Sequence, residues 1–573
     1  MVISFETLGK ELVGKDYKFQ TPYGRRLLTY ADYTASGRSI KFIENYLLEI
    51  QKYYANTHTE DSMTGKVMTK ILQKSEKTIK RHINAEKNCF LIPAGTGATG
   101  AIEYLAKILG IYLPPASKII IDNIVKEYYK GSMGIDDIVK KSSDYLKDLP
   151  VVFIGPYEHH SNILIWEEGM AELVEIGLNS HGRIDIDDLK RKVADEKYKN
   201  RLKIGSFSAA SNVTGIITPV YEIAKILHEN KGIACFDFAA GAPYIEINMN
   251  KSNEEYFDAI YLATHKFLGG PASAGILVIN ERIYHNDLPP TVSGGGTVSY
   301  AGPYSYDYIQ KVELREMAGT PGIIQIIKAA LVIELKELIG IDKIESQEKY
   351  YAKKLLHRLK SIENIEILGP EDENNRLPIF SFKIKHRDKY IHPKFVTKIL
   401  NDLFGIQTRA GCACAAPYGH RLLDISEENS RIFRYFIKDG IASVRPGWVR
   451  FNIHYIMNED EVDFICNAIE FLAQYGYLFL SEYVLDIKSG SWHHKSYKEE
   501  FAIVENFGVE ESLKFIKGNS VNQKEEEISP VEEYERYLYQ AKKQAEQLEK
   551  RDLDLKTLEE DECPSWFYYI HSQ

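Results

Sequence analysis

The chain has 573 residues, more than one hydrophobic core ordinarily organises, so two or more domains are expected. Its 44% hydrophobic and 27% charged residues describe an ordinary globular protein, with no apolar run long enough to span a bilayer. A net charge of −10 with scattered Lys and Arg argues against a nucleic-acid partner, and six unevenly spaced cysteines do not make a disulfide framework.

The amino-terminal MVISFETLGK has neither a basic leader with an apolar core nor an Arg/Ser-rich amphipathic pattern, so cytoplasmic residence is the expectation. In chain order, the Gly/Thr-rich PAGTGATGAIE opens a helix over AIEYLAKILG. Residues 111–149, rich in Lys, Asp and Tyr, read as a partly helical surface insertion. The apolar runs VVFIGP and LVEIGL read as buried strands. From Gly205 to Asn280, strand runs (KIGSFSAA, GIACFDFAA, YFDAIYLATHK, AGILVIN) alternate with a helix over Tyr221–Glu229, which gives an α/β sheet. For that helix Thr218 is the expected N-cap, Pro219 lies in the first turn and Gly232 closes the end.

The helical run IIQIIKAALVIELKELIG opens a smaller α+β domain over 320–488, which the segment 1–30 is expected to join. The large domain then spans 31–319. Beyond 489 the composition shifts to Glu, Lys and Gln. There Tyr534, Leu538, Ala541, Ala545 and Leu548 follow a heptad spacing that, over two heptads, fits a surface helix docked on the body better than a coiled coil. The aromatic end, CPSWFYYIHSQ, either packs back on the protein or meets a partner.

Four places carry chemistry. Lys266 ends the strand run YLAT and precedes the Gly-rich GGPASAG; a lone lysine is ordinarily a solvated charge, but a buried amine beside flexible backbone can form an imine with an aldehyde cofactor. Asp237 ends GIACF and is either a hydrogen-bonded strand-end carboxylate or the partner of a cation such as the pyridine nitrogen of pyridoxal-5′-phosphate (PLP). The turn in PAGTGATG offers backbone N–H groups and hydroxyls to a phosphate, although such turns also occur as plain loops. In EHHSN, Glu158 to Asn162, an imidazole is suited to stack on a planar ring, and nothing in the spacing supports a metal set.

Together with TYADYTASGRS, YYANTHTEDSMTG, SNVTGIITPV, GGGTV, EMAGTPGII, RAGCACAAPYG and WVRFNIHY, these stretches resemble the class V aminotransferase family of PLP enzymes, above all its cysteine desulfurase and selenocysteine lyase branch. The resemblance covers about four-fifths of the chain, leaving the last roughly ninety residues aside. It implies PLP fold-type I, with a mainly parallel seven-stranded sheet in the large domain, a smaller α+β domain and a C-terminal extension.

Carried over residue by residue, the resemblance makes Lys266 the lysine that binds PLP, His159 the ring-stacking imidazole and Asp237 the partner of the ring nitrogen. Ala98 and Thr99 stand where the family has a Thr pair at the phosphate, and His265 adds a phosphate contact. Asn212 lies near the ring hydroxyl and the substrate. Thr320, in AGTP, reaches the phosphate of a neighbouring subunit's cofactor, which implies a homodimer, and Arg450 clamps the substrate α-carboxylate. In RAGCAC, Arg409, Gly411 and Cys414 match the loop whose cysteine attacks the substrate sulfur. Cys412 departs from the family and invites a disulfide, a resolving thiol or coincidence. Ala240 and Ala263 replace the usual glutamine and serine.

The implied reaction takes an amino acid, cysteine first, and moves its sulfur to Cys414 with release of alanine and a later transfer to a sulfur-acceptor protein. Two alternatives stay open: a class V transaminase, epimerase or lyase without a sulfur-carrying cysteine, and a non-catalytic sulfur-relay scaffold.

Overall fold

A computed structural model describes residues 3–57, 59–128, 130, 149–514, 528–551, 553–557 and 566–569. Seven strands form the central sheet: β1 (Cys89–Pro93), β2 (Val151–Ile154), β3 (Glu172–Glu175), β4 (Lys203–Ser208), β5 (Ile233–Asp237), β6 (Ala259–Ala263) and β7 (Gly275–Asn280). Their order is β1-β7-β6-β5-β4-β2-β3; only β7 runs antiparallel to its neighbours, so the sheet is mainly parallel, as expected. Every residue of β2, β4, β5, β6 and β7 is buried. That is the signature of a sheet covered by helices on both faces, and it explains why these segments read as unbroken apolar runs.

One punctuation mark fell differently. The helix begins at Val220, and Thr218 does not cap it because its hydroxyl donates to the Ser208 carbonyl at 2.6 Å, tying the helix entrance to the end of β4. At the other end Lys231 takes the left-handed conformation at φ 59°, while the Gly232 amide donates to the Leu227 carbonyl.

A second sheet joins Ile365–Ile367, Ile379–His386, Trp448–Asn452 and Arg409–Gly411, all antiparallel. The amino-terminal residues Thr29–Tyr30 pair in parallel with Ile406–Gln407, just ahead of the last of these strands. The insertion expected over 111–149 is helical over Pro115–Tyr128; most of its remainder lies outside the described residues.

The carboxyl-terminal helix spans Pro530–Leu548 and opens with a reciprocal capping box between Ser529 and Glu532. It is a docked helix: Tyr534 stacks on Phe464 at 4.0 Å between centroids, and Tyr537 lies under Arg26 at 4.5 Å while accepting from the Leu27 amide. The aromatic end packs back on the body, where Phe567 is buried and the Trp566 indole N–H donates to the Val444 carbonyl.

Candidate active site

The chemically suggestive residues converge at the carboxyl edge of the central sheet, the place where open α/β sheets bind ligands. Asp237 is the last residue of β5, Lys266 ends the single turn Thr264–Lys266 after β6, and His159 lies just past β2. Together they line a cavity of about 470 Å³. Ala98, Thr99, Asn212, His265, Arg409, Cys414 and Arg450 line the same cavity, whereas Gly411, Cys412 and Thr320 are not among its lining residues. Thr320 is exposed and takes a hydrogen bond from Asn56 Nδ2 at 3.2 Å.

Burial pushes the Lys266 amine down to about 8, with Asp237 opposing the shift. Asp237 is buried, its carboxyl raised by desolvation, and Oδ1 accepts from the Ala239 amide at 2.8 Å. Such a carboxylate is ready for a cationic partner. The turn Gly95–Gly100 lines the cavity and opens the helix Ala98–Ile108, whose N-cap, Gly97, supplies no side-chain hydrogen bond to the first-turn amides. The turn is pressed against β7, where a Cβ on Gly275 would stand 2.5 Å from both the nitrogen and the oxygen of Gly97. No larger residue fits there.

His159 is held by the turn it caps. Its Nδ1 accepts from the Ser161 amide at 3.1 Å, so the ring proton sits on Nε2. The Ser161 hydroxyl lies 3.0 Å from His159 Nδ1 and 2.7 Å from the Thr99 hydroxyl, which joins the imidazole to the phosphate-type turn. Burial, with Lys266 adding to it, drops His159 to about 4; His265, desolvated beside the same lysine, is also near 4. Both imidazoles are neutral at physiological pH.

The RAGCAC loop closes the cavity from the second sheet. Gly411 at φ 115° turns the chain, and Ala413 and Cys414 both adopt left-handed backbone at φ 49° and 56°, an arrangement that costs on the order of 1 kcal/mol per residue. Three hydrogen bonds hold it: Asn212 Nδ2 to the Ala413 carbonyl at 2.8 Å, the His160 amide to the Cys414 carbonyl at 2.8 Å, and the Ala416 amide to His160 Nε2 at 3.0 Å. Cys414 is exposed, Cys412 is half-buried, and both are free thiols.

Two residues of the site escaped the sequence reading. Glu158 is fully buried; Oε1 accepts from the Gly155 and Ser208 amides, and Oε2 from Asn162 and the Ser208 hydroxyl, stitching the ends of β2 and β4 beneath His159. Burial raises its carboxyl to about 7. Asp32, within TYADYTASG, accepts from Arg450 at 2.7 Å and from Arg409 at 3.1 Å. The available signals were an acidic residue directly after the run VVFIGPY for Glu158 and one between Tyr30–Ala31 and Tyr33 for Asp32.

The family model for aminotransferase class-V matches residues 131–465, more than half of the chain. The chain belongs to the class-V aminotransferase family. Among curated relatives of this family member, a probable cysteine desulfurase of Halalkalibacterium halodurans is 27% identical over 425 residues, covering 73% of this chain and 92% of that one. A probable cysteine desulfurase of Pyrococcus abyssi is 27% identical over 419 residues, covering 72% and 90%. Among solved structures, a cysteine desulfurase of Thermococcus onnurineus superimposes with a TM-score of 0.61 at 24% identity over 78% of this chain and 95% of that chain. One of Escherichia coli gives 0.56 at 18% identity, over 79% and 96%. Class-V aminotransferases are PLP enzymes, and the fold here is theirs.

Proposed function

We propose that this class-V enzyme is a cytoplasmic, homodimeric, PLP-dependent cysteine desulfurase. The observation that carries the reading is that Cys414, on a loop of the second sheet, lines the same cavity as the half-buried, deprotonation-prone Lys266. The residues present fit the cofactor: an uncapped helix N-terminus for its phosphate, a buried carboxylate for its ring nitrogen, and a lysine amine for its aldehyde carbon. Ala98, Thr99 and His265 would hold the phosphate, Asp237 the ring nitrogen, Asn212 the ring hydroxyl, and His159 would flank the ring. When bound, PLP supplies an electron sink for the charge that develops at Cα of the amino acid.

The chain's own groups do the rest. Arg450, with Asn212 beside it, takes the α-carboxylate of cysteine. The Lys266 amine would remove the Cα proton. The Cys414 thiolate then attacks the substrate sulfur; an S–S bond forms on Cys414, the Cβ–S bond breaks with its electron pair going to the substrate carbon, and alanine leaves after Cβ takes up a proton and Lys266 returns its proton to Cα. A persulfide remains on Cys414 for an acceptor protein. Thr320, exposed and outside its own cavity, fits a role at a second subunit's phosphate.

The test is incubation of purified protein with L-cysteine and a thiol reductant. Alanine and sulfide in equal amounts support the reading, and a keto acid in place of alanine sinks it. A second reading, a class-V enzyme without a sulfur-carrying thiol, draws on Ala240, which leaves an apolar wall where the family has a glutamine. Turnover that survives loss of Cys414 favours it.

A further inference from the structure

Arg409 and Arg450 are register partners on neighbouring antiparallel strands. Like charges directly opposite each other repel. Here one carboxylate serves both: Asp32 Oδ1 accepts from Arg450 Nη2 at 2.7 Å and Oδ2 from Arg409 Nε at 3.1 Å. Asp32 is held in place by backbone stitching on both sides, because the Asn452 amide donates to the Ala31 carbonyl and the Asn452 side chain accepts from the Thr34 amide. Asp32 is 8% exposed and Arg450 3%, so water screens this pair weakly. Both arginines line the cavity, whereas Asp32 lies behind them. The two guanidiniums and one carboxylate therefore present the cavity with a single net positive charge.

We propose that Asp32 is a specificity-determining residue, which spends the charge of one arginine and so restricts the site to amino acids bearing one carboxylate and an uncharged side chain. The proposal rests on the reading of Arg450 as the α-carboxylate clamp. With Asp32 present, one positive charge matches one α-carboxylate, and the side-chain anion of an acidic amino acid has no uncompensated cation to meet. Without Asp32, Arg409 becomes a second anion site. The Arg409 side chain is 48% exposed, so water screens it in part, and one charge at a few ångströms there changes affinity by about threefold.

The experiment is calorimetric titration of the PLP-loaded protein with L-alanine and with L-aspartate, in the wild type, Asp32→Asn, Asp32→Glu and Asp32→Asn/Arg409→Gln. Asp32→Asn is expected to shift the alanine-to-aspartate affinity ratio about threefold toward aspartate, while Asp32→Glu, which keeps the charge, and the double variant, which restores the balance, stay near the wild-type ratio. An unchanged ratio in Asp32→Asn, or an equal shift in Asp32→Glu, overturns the proposal. Arg409→Gln alone is expected to sharpen rejection of aspartate; if Asp32→Asn does not fold, an unchanged ratio in Arg409→Gln overturns it. Arg450→Ala, titrated in parallel, separates the two ideas: alanine affinity that survives this change removes the clamp reading itself.

Discussion

The backbone amide of His160 donates to the carbonyl of Cys414 at 2.8 Å, and the His160 ring accepts from the Ala416 amide. The residue after the candidate ring-stacking histidine thus holds the candidate sulfur-accepting loop in its left-handed turn. His160→Ala is expected to keep PLP, since the groups proposed to hold it are untouched, and to slow alanine formation about tenfold or more through misplacement of Cys414. Single-turnover alanine release beside cofactor absorbance measures both. A wild-type rate contradicts the positioning role.

Borohydride reduction followed by peptide mapping is expected to find the pyridoxyl group on Lys266, and Lys266→Ala is expected to carry none. Labelling of a different lysine removes the assignment.

The same lysine sets a pH dependence. Imine formation needs the neutral amine, and with its pKa near 8 about a tenth of Lys266 is neutral at pH 7, far more than for an ordinary lysine near 10.4. Attachment of PLP to the apoprotein is expected to accelerate about tenfold per pH unit on the acid side and to level off above about pH 8. Stopped-flow absorbance across that range shows it, and a rate still climbing at about pH 10 speaks against the depressed amine.

Arg450→Ala is expected to weaken amino-acid binding far more than PLP binding, on the order of 2 to 5 kcal/mol, because it leaves both the substrate carboxylate and the buried Asp32 short of a partner. Equal loss of both ligands identifies a structural arginine.

The fold was legible where single segments carry it. The buried strands read as apolar runs because both faces of the sheet are covered, and Asp237 and Lys266 announced themselves as polar residues closing such runs. Asp32 was not legible in its role, because the pairing of Arg409 with Arg450 arises only from strand register between segments some forty residues apart, which no local pattern encodes. Thr218 has the composition of a cap, yet a tertiary acceptor, the Ser208 carbonyl, took its hydroxyl. The face of Pro530–Leu548 that docks includes Tyr534 and Tyr537, and two of its partners, Arg26 and Leu27, come from the opposite end of the chain.

That docking has a measurable consequence. Tyr537 is fully buried, covers Arg26 and accepts from the Leu27 amide, so Tyr537→Ala is expected to cost on the order of 3 to 5 kcal/mol of stability. Thermal or urea unfolding reads the loss, with PLP content at saturating cofactor unchanged. A change within about 0.5 kcal/mol would mean the helix is an ornament on the body.

The sulfur-carrying role of Cys414 is tested most directly by mass spectrometry of Cys414→Ala and Cys412→Ala after treatment with L-cysteine, alongside an alanine assay. Cys414→Ala is expected to bind PLP and cysteine, neither of which needs a protein thiol, to gain no sulfur and to release no alanine. Cys412→Ala is expected to gain one sulfur atom, on Cys414, because the neighbouring thiol can only resolve or protect what Cys414 carries. Release of alanine by Cys414→Ala at the wild-type rate would contradict the desulfurase mechanism.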